Sequence, residues 1–368
     1  MKKGLYKPIF YTTYFLYLIL NMCSKVIFIS PFLDKIFYTI IILLLLIVVT
    51  QSNKYTKKSM ALILFLILLS FTVYIVTNDS VLIFTSLFII TTKNIDTDEF
   101  IKKDVAFKIL IIFAVIICYK LNLTSAGFFA RKDGTIRNTL GFDHPNHLGL
   151  YLFSVCCGIG YLKHKNYKII DYIILLTSFI ICYLVCDSRA SQIGIIIIAL
   201  MIKFSEKIGK NKKILWCTPI IFFVLSLTLS ILYTCQNQAI IELDKSINSR
   251  IMYASKFLQY YNVNLFGNNF IYYGNKGANN YLDVLDNGYI HILLHYGLIS
   301  FSIIMMSYVL IIKKAIKEEK YNILIYIIPF LTYGLIERHI YEIQYNSILI
   351  MLSSFIYFKN YNVKKEET

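Results

Sequence analysis

The sequence predicts an all-α, polytopic integral membrane protein, and three observations carry that expectation. Hydrophobic residues fill 57% of the 368 positions at a mean hydropathy of +0.63, while charged residues reach only 16%, well short of the quarter usual in a soluble domain. The apolar residues fall in runs long enough to cross about 30 Å of hydrocarbon as helices. These runs lack the alternation of a barrel strand, and lipid offers no partner to an open backbone amide, so helix is the conformation left.

Twelve transmembrane helices are expected, at about 9–29, 32–50, 60–77, 80–92, 105–119, 146–162, 169–186, 189–203, 214–233, 289–312, 321–336 and 343–358. A large loop over 236–288 joins the ninth to the tenth, and residues 1–368 read as a single membrane domain. Lysine and arginine set the orientation. The N-terminus, the even-numbered connections and the C-terminal tail carry 24 of them, against 11 on the opposite and much longer face. The positive-inside rule then places both termini in the cytoplasm and the long loop outside.

The formal charge of +16 is dispersed at span ends, as topology alone requires, so nucleic acid is not an expected partner. The opening MKKGLYKP leads into an apolar run with no small-residue cleavage pattern and reads as an uncleaved first span. Seven of the eight cysteines lie in or at apolar runs, and Cys235 sits at the outer end of the ninth. No spacing suggests a zinc site or a disulfide framework, so they are expected to serve packing.

Residues 1–119 read as five spans without a site. The acidic cluster Asp96, Asp98, Glu99 and Asp104 lies among lysines and is expected in a solvated cytoplasmic loop. The third outer loop ends in IRNTLGFDHPNHLGLYLF. Pro145 stops the helix from beginning earlier and Asn146 is the expected cap of the sixth span, which holds His144 and Asn146 at a helix N-terminus that favours anions. A rigid turn with incidental polar residues accounts for the same letters. In CDSRASQIG, Asp187, Ser188 and Arg189 form the whole connection between the seventh and eighth spans. Arg189 either pairs with Asp187, snorkels to headgroups, or faces a polar cavity and binds an anion.

The chain holds five arginines, Arg131, Arg137, Arg189, Arg250 and Arg338, all assigned to the outer face, while every cytoplasmic basic residue is lysine. Were the two types interchangeable as topology anchors, the rarer one would not segregate against the positive-inside preference. Guanidinium offers a planar, permanently charged fork suited to phosphate oxygens, so a phosphate or diphosphate ligand is expected on the outer side.

Between Gln236 and Gly297 lie ten asparagines and eight tyrosines, with Gly267, Gly274 and Gly277. Amides and tyrosine faces suit sugars, although an AT-rich genome would enrich the same residues. NSR at 248–250 opens a helical stretch leading to NLFG. At the far end LDNGYIHILLHYGLIS starts the tenth span, with Asp286 and Asn287 where an N-cap and first turn belong. Asp286 reads either as a cap or as a general base at the membrane surface. His291 and His295 share a helix face and could bind metal with His144 or His339, but packing is the expected role. Glu337 and Arg338 end the eleventh span on the outside, either in an ion pair between neighbours in the fold or as part of the cavity that Tyr341, Glu342, Gln344 and Asn346 could line.

LGFDHPNHLG at 140–149, SRAS at 188–191, NSR with NLFG over 248–267, and DNGYIHILLHYGLIS at 286–300, in this order and on one side, resemble the O-antigen ligase and polysaccharide polymerase superfamily. They are most similar to the Wzy-type polymerases of Gram-positive capsule and exopolysaccharide systems. The resemblance implies a metal-independent, cofactor-free inverting glycosyltransferase acting on an undecaprenyl-diphosphate-linked oligosaccharide, with the flippase and chain-length regulator of the same pathway as expected partners. It implies that Arg189 and Arg250 hold the diphosphate and that Asp286 or His144 is the catalytic base. Asn146, Asn287, Arg137, Glu337 and Arg338 complete the expected substrate contacts. Ligases typically place a histidine before the Asn of the last motif, where this chain has Asp286, which fits a polymerase better. The short outer loop around Asp34 argues against the metal-dependent transferases that use lipid-phosphate sugars. An O-antigen-ligase-like transferase and a lipid-linked oligosaccharide flippase are the alternatives.

Overall fold

A computed structural model describes residues 6–27, 29–51, 55–124, 127–130, 134–210, 212–270 and 284–358. Helix dominates, as expected. In chain order the helices are α1 (Tyr6–Cys23), α2 (Pro31–Gln51), α3 (Lys57–Thr77), α4 (Val81–Thr91), α5 (Thr97–Lys120), α6 (Pro145–Leu162), α7 (Ile169–Leu184), α8 (Arg189–Gly209), α9 (Lys212–Thr234), α10 (Gln238–Ser246), α11 (Arg250–Tyr260), α12 (Gly288–His295), α13 (Gly297–Lys317), α14 (Tyr321–Tyr333) and α15 (Ser353–Ile356). Two 3-10 segments occupy His339–Tyr341 and Ser347–Leu352. Among the described residues the only sheet is an antiparallel ribbon of β1 (Phe128–Ala130) and β2 (Ile136–Asn138). Four described helices, over Pro31–Thr50, Lys57–Thr77, Ile214–Thr234 and Gly297–Lys317, are long and apolar enough to cross a membrane.

Two compact units are distinguished within the chain: residues 1–67, 84–203 and 343–368 form the first, and 68–83 with 204–342 the second. In the first, α1 packs on α2 and α5, and α6 lies between α5 and α7. Tyr14, Phe88 and Phe100 interlock there, with ring centroids 5.4 and 4.7 Å from Tyr14. Such aromatic pairs add about 0.5–1.5 kcal/mol beyond burial, useful where lipid removes the hydrophobic drive between helices.

The acidic cluster of this unit is helical, not a solvated loop. Asp96 caps α5 by accepting the Glu99 N–H at 2.9 Å, so the helix starts well before the expected 105. Asp104 is therefore carried inside. Its carboxylate accepts the Tyr14 hydroxyl at 2.7 Å and Lys108 Nζ at 2.8 Å, and Lys108 also reaches Ser154 Oγ at 2.8 Å. Asp104 and Lys108 are each 1% exposed, and the i, i+4 spacing within one helix is what lets a buried charge find its partner.

In the second unit, α9 is packed by α11, α12, α13 and α14. Two differences from the expected spans occur here and at the chain's end. The tenth is broken into α12 and α13 at Tyr296–Gly297, and the last holds the 3-10 segment Ser347–Leu352 ahead of the single turn of α15. The break exposes backbone groups that low-dielectric surroundings do not forgive. The segment 264–268 satisfies them: Asn268 N donates to His295 O at 3.1 Å, Leu298 N to Asn264 O at 2.9 Å and Ile299 N to Leu265 O at 3.2 Å. Such contact requires two glycines. Gly267 (φ +93°) and Gly297 (φ +85°) hold left-handed backbone, and a Cβ would stand 1.9 Å from His295 O at the first and 2.3 Å from Gly267 N at the second. The NLFG and HYG motifs thus have a packing origin.

Gly267→Ala and Gly297→Ala should each destabilise the protein by more than about 2 kcal/mol, since strain and overlap add. Gly134→Ala, at φ +84° with no atom near the added methyl, should cost no more than about 1–2 kcal/mol. Thermal midpoints of the purified variants in detergent provide the measurement.

Candidate functional site

The second unit brings together three of the residues singled out by sequence. Arg250 opens α11 because the chain turns sharply before it: Asn248 (φ 58°) and Ser249 (φ 62°) both adopt left-handed backbone. The buried Asp244 then accepts the Ile251 N–H at 2.8 Å and so caps the new helix. Arg250 Nη1 stands 2.9 Å from Asp286 Oδ2, Nη2 lies 2.8 Å from Glu337 Oε1, and Nη1 also donates to the Ile336 carbonyl. The side chains are 12% exposed for Arg250, 5% for Glu337 and 29% for Asp286. Glu337 therefore pairs with Arg250 across the fold, the ion pair between neighbours in the fold that the conservative reading has.

The DNG letters divide their labour. Asn287, not Asp286, caps α12, its Oδ1 accepting the N–H groups of Tyr289 and Ile290 at 3.1 and 3.0 Å. Its Nδ2 donates to Ser226 Oγ at 3.0 Å and to the Leu335 carbonyl at 3.2 Å. Gly288 N donates to Gly334 O at 2.8 Å. Asp286 is left for the guanidinium. Arg250 also sits at the carbonyl end of α14, where the helix dipole favours a cation.

Electrostatics sharpen this trio. Burial works against the charge of Arg250, but attraction by Glu337 and Asp286 overrides it and holds the guanidinium above its ordinary value. Burial raises the Glu337 carboxyl above the usual range; Arg250 opposes the rise and the nearby Asp286 charge adds to it. Two acidic side chains already occupy the one guanidinium, a poor greeting for a diphosphate.

In the first unit, Arg137 lies buried on β2, its Nε donating to Cys186 O at 2.7 Å and Nη2 to Asn146 Oδ1. Asn146 is not the cap of α6. Pro145 takes the first helical position, so the cap falls on His144, whose Nδ1 accepts the Asn146 N–H at 3.2 Å. The His144 ring lies 5.1 Å from Phe129. His147 Nδ1 is 2.5 Å from Asp143 Oδ1; burial pushes the Asp143 carboxyl up, but the hydrogen bond and charge of His147 outweigh it and hold it low. Arg189 is exposed in the first turn of α8. The serines of SRAS have a packing role: Ser188 and Ser191 share a 3.0 Å hydrogen bond, and a Cβ at Gly149 would come within 2.7 Å of Ser188. Arg338 stands at the start of the 3-10 segment His339–Tyr341. Arg131, and the part of the long loop that holds Gly274 and Gly277 with several of its tyrosines and asparagines, lie outside the described residues.

Sequence reading missed Asp79. In the second unit its Oδ2 accepts the Tyr296 hydroxyl at 2.9 Å and lies 3.3 Å from His295 Nε2, while His295 Nδ1 faces Asn268 O at 3.0 Å. Burial raises the Asp79 carboxyl, yet hydrogen bonds from His295 and the Val81 N–H and the His295 charge bring it below its ordinary value. A lone acid between two spans was the signal available. His291 meets Tyr341 Oη at 3.3 Å, and His339 Nδ1 meets Glu342 Oε1 at 2.6 Å. Among the described residues no three His, Cys, Asp or Glu side chains are grouped to hold a metal ion. No family model, curated protein or solved structure matches this chain.

Glu337→Ala should cost about 2–3 kcal/mol, because it leaves Arg250 Nη2 buried without its partner while Asp286 and the Ile336 carbonyl still hold Nη1. Asp286→Ala, removing the more exposed partner, should cost no more than about 1 kcal/mol. Denaturation in detergent compares them; equal losses would show that both carboxylates are structural.

Proposed function

We propose that this chain is a polysaccharide polymerase, a membrane glycosyltransferase that joins undecaprenyl-diphosphate-linked oligosaccharide repeat units on the outer face of the cell membrane in capsule or exopolysaccharide synthesis. In this reading the chain crosses the membrane twelve times with both termini in the cytoplasm and the 236–288 loop outside. The observation that carries it is Arg250, Asp286 and Glu337 meeting at the ends of α11, α12 and α14: a phosphate-binding group beside a carboxylate that reaches solvent.

Arg250 stabilises the diphosphate of the donor chain. Asp286 takes the proton from an acceptor hydroxyl, whose oxygen bonds to the anomeric carbon; Arg189 and His144, in the other unit, are proposed for the same two roles from the resemblance alone. The bond from that carbon to the diphosphate oxygen breaks with its electron pair left on the diphosphate, and the configuration inverts. Preorganised charge of this kind is worth more in a partly dry site than in water. Asn287, Glu337 and Arg338 serve by orienting these groups or the glycan. Flippase and chain-length regulator proteins of the same pathway are the proposed partners. A second reading, a lipid-linked oligosaccharide transporter, is favoured by one observation, the Asp104–Lys108 pair buried in α5 at the start of the fifth expected span, because buried charge at membrane depth is a common mark of a transport pathway.

Arg250→Ala in the native host should lower polymerisation by about a hundredfold or more, leaving single repeat units on the lipid carrier and no ladder in a lipid-linked glycan profile. Long chains stranded on lipid would indicate ligation instead. Repeat units accumulating on the cytoplasmic side would indicate transport, and an unchanged ladder would remove Arg250 from the site.

A further inference from the structure

We infer that Asp286 is a displaceable occupant of Arg250: its carboxylate holds the guanidinium position that the donor diphosphate takes, and donor arrival releases it to act as base. The inference rests on the polymerase reading and adds an order of events to it.

Three features of the trio point this way. The first is occupancy. With Asp286 and Glu337 both on Arg250, the positions that would hold the anion are taken by carboxyl oxygens that compete with it, so one must give way. The second is which one yields. Glu337 is 5% exposed and its backbone N–H is fixed to Tyr333 O at 2.8 Å, whereas Asp286 is 29% exposed and precedes the cap of α12 rather than belonging to the helix. The third is what remains. Glu337 on Nη2 and the Ile336 carbonyl on Nη1 keep the guanidinium aimed after Asp286 departs, so the site is not disassembled by the exchange.

Chemistry supplies the reason for such an arrangement. An Asp286 oxygen held 2.9 Å from Arg250 Nη1 is not placed to accept the hydrogen of an acceptor hydroxyl, which a general base must reach at about 2.6–3.2 Å. Release from Arg250 frees that oxygen at the moment a leaving group is in place. Without donor the base stays occupied. Donor therefore binds before the acceptor is activated, and the ion pair that looks like an obstacle to the function becomes its timing device.

The test measures binding of farnesyl diphosphate, a short polyprenyl diphosphate, to the full-length protein in lipid nanodiscs by calorimetry. Asp286→Asn and Asp286→Ser should each bind about tenfold tighter than wild type, since a competing charge is gone, while polymerisation in the host is lost. Arg250→Ala should bind about tenfold weaker or worse. Should Arg250→Ala weaken binding while both Asp286 variants bind no tighter than wild type, displacement is wrong and the polymerase reading stands. Should Arg250→Ala bind as wild type does, the polymerase site itself is wrong and the inference goes with it.

Discussion

The carboxyl end of α14 leaves backbone carbonyls at Gly334, Leu335 and Ile336 that the helix cannot satisfy internally, and most of the proposed site exists to answer them. Gly288 N takes the first, Asn287 Nδ2 the second and Arg250 Nη1 the third. An open carbonyl away from water costs as much as a lost hydrogen bond, so the three donors are drawn to one place whatever else they do. That convergence brings α11, α12 and α14 to a common point, and Glu337, one residue beyond Ile336, arrives beside the guanidinium as a consequence. Positioning and chemistry share the same atoms here.

How much of this was legible depends on whether the information is local. Helices were readable because apolar runs of spanning length have few other solutions in lipid. The start of α5 was not, since TDEFIKKD has the composition of a loop, while Asp96 as cap and the Asp104–Lys108 spacing make it the first turns of a helix. Nor was the break at Gly297, because ILLHYGLIS remains apolar across it and the segment that relieves it lies some thirty residues earlier. Caps moved by one or two positions for a stereochemical reason: Pro145 must follow the cap, and Asn287 reaches two amides where Asp286 was an equal candidate on sequence alone.

The site residues show the same division. Arg250, Asp286, Glu337 and Asn287 were each recognisable by type and sidedness, and so were Arg137, His144, Asn146 and Arg189 in the other unit. What sequence could not tell was who holds whom. Arg250 looked like an open receptor for phosphate until its two carboxylates were seen on it, and Asp79 carried no motif to mark its bond with Tyr296. Pairing across more than two hundred residues leaves no trace in composition or period.

The contact between 264–268 and 295–299 is built on main-chain hydrogen bonds, which every amino acid supplies alike, with the His295 ring on Asn268 O and the Asn268 amide on Leu294 O beside them. Leucine or isoleucine on either side can be exchanged without changing a donor or acceptor in it, while Gly267 and Gly297 have their identity dictated by geometry. Two descendants of one ancestor could therefore keep this joint intact while agreeing at little more than a pair of letters, so architecture of this kind can persist long after spelling has drifted beyond comparison.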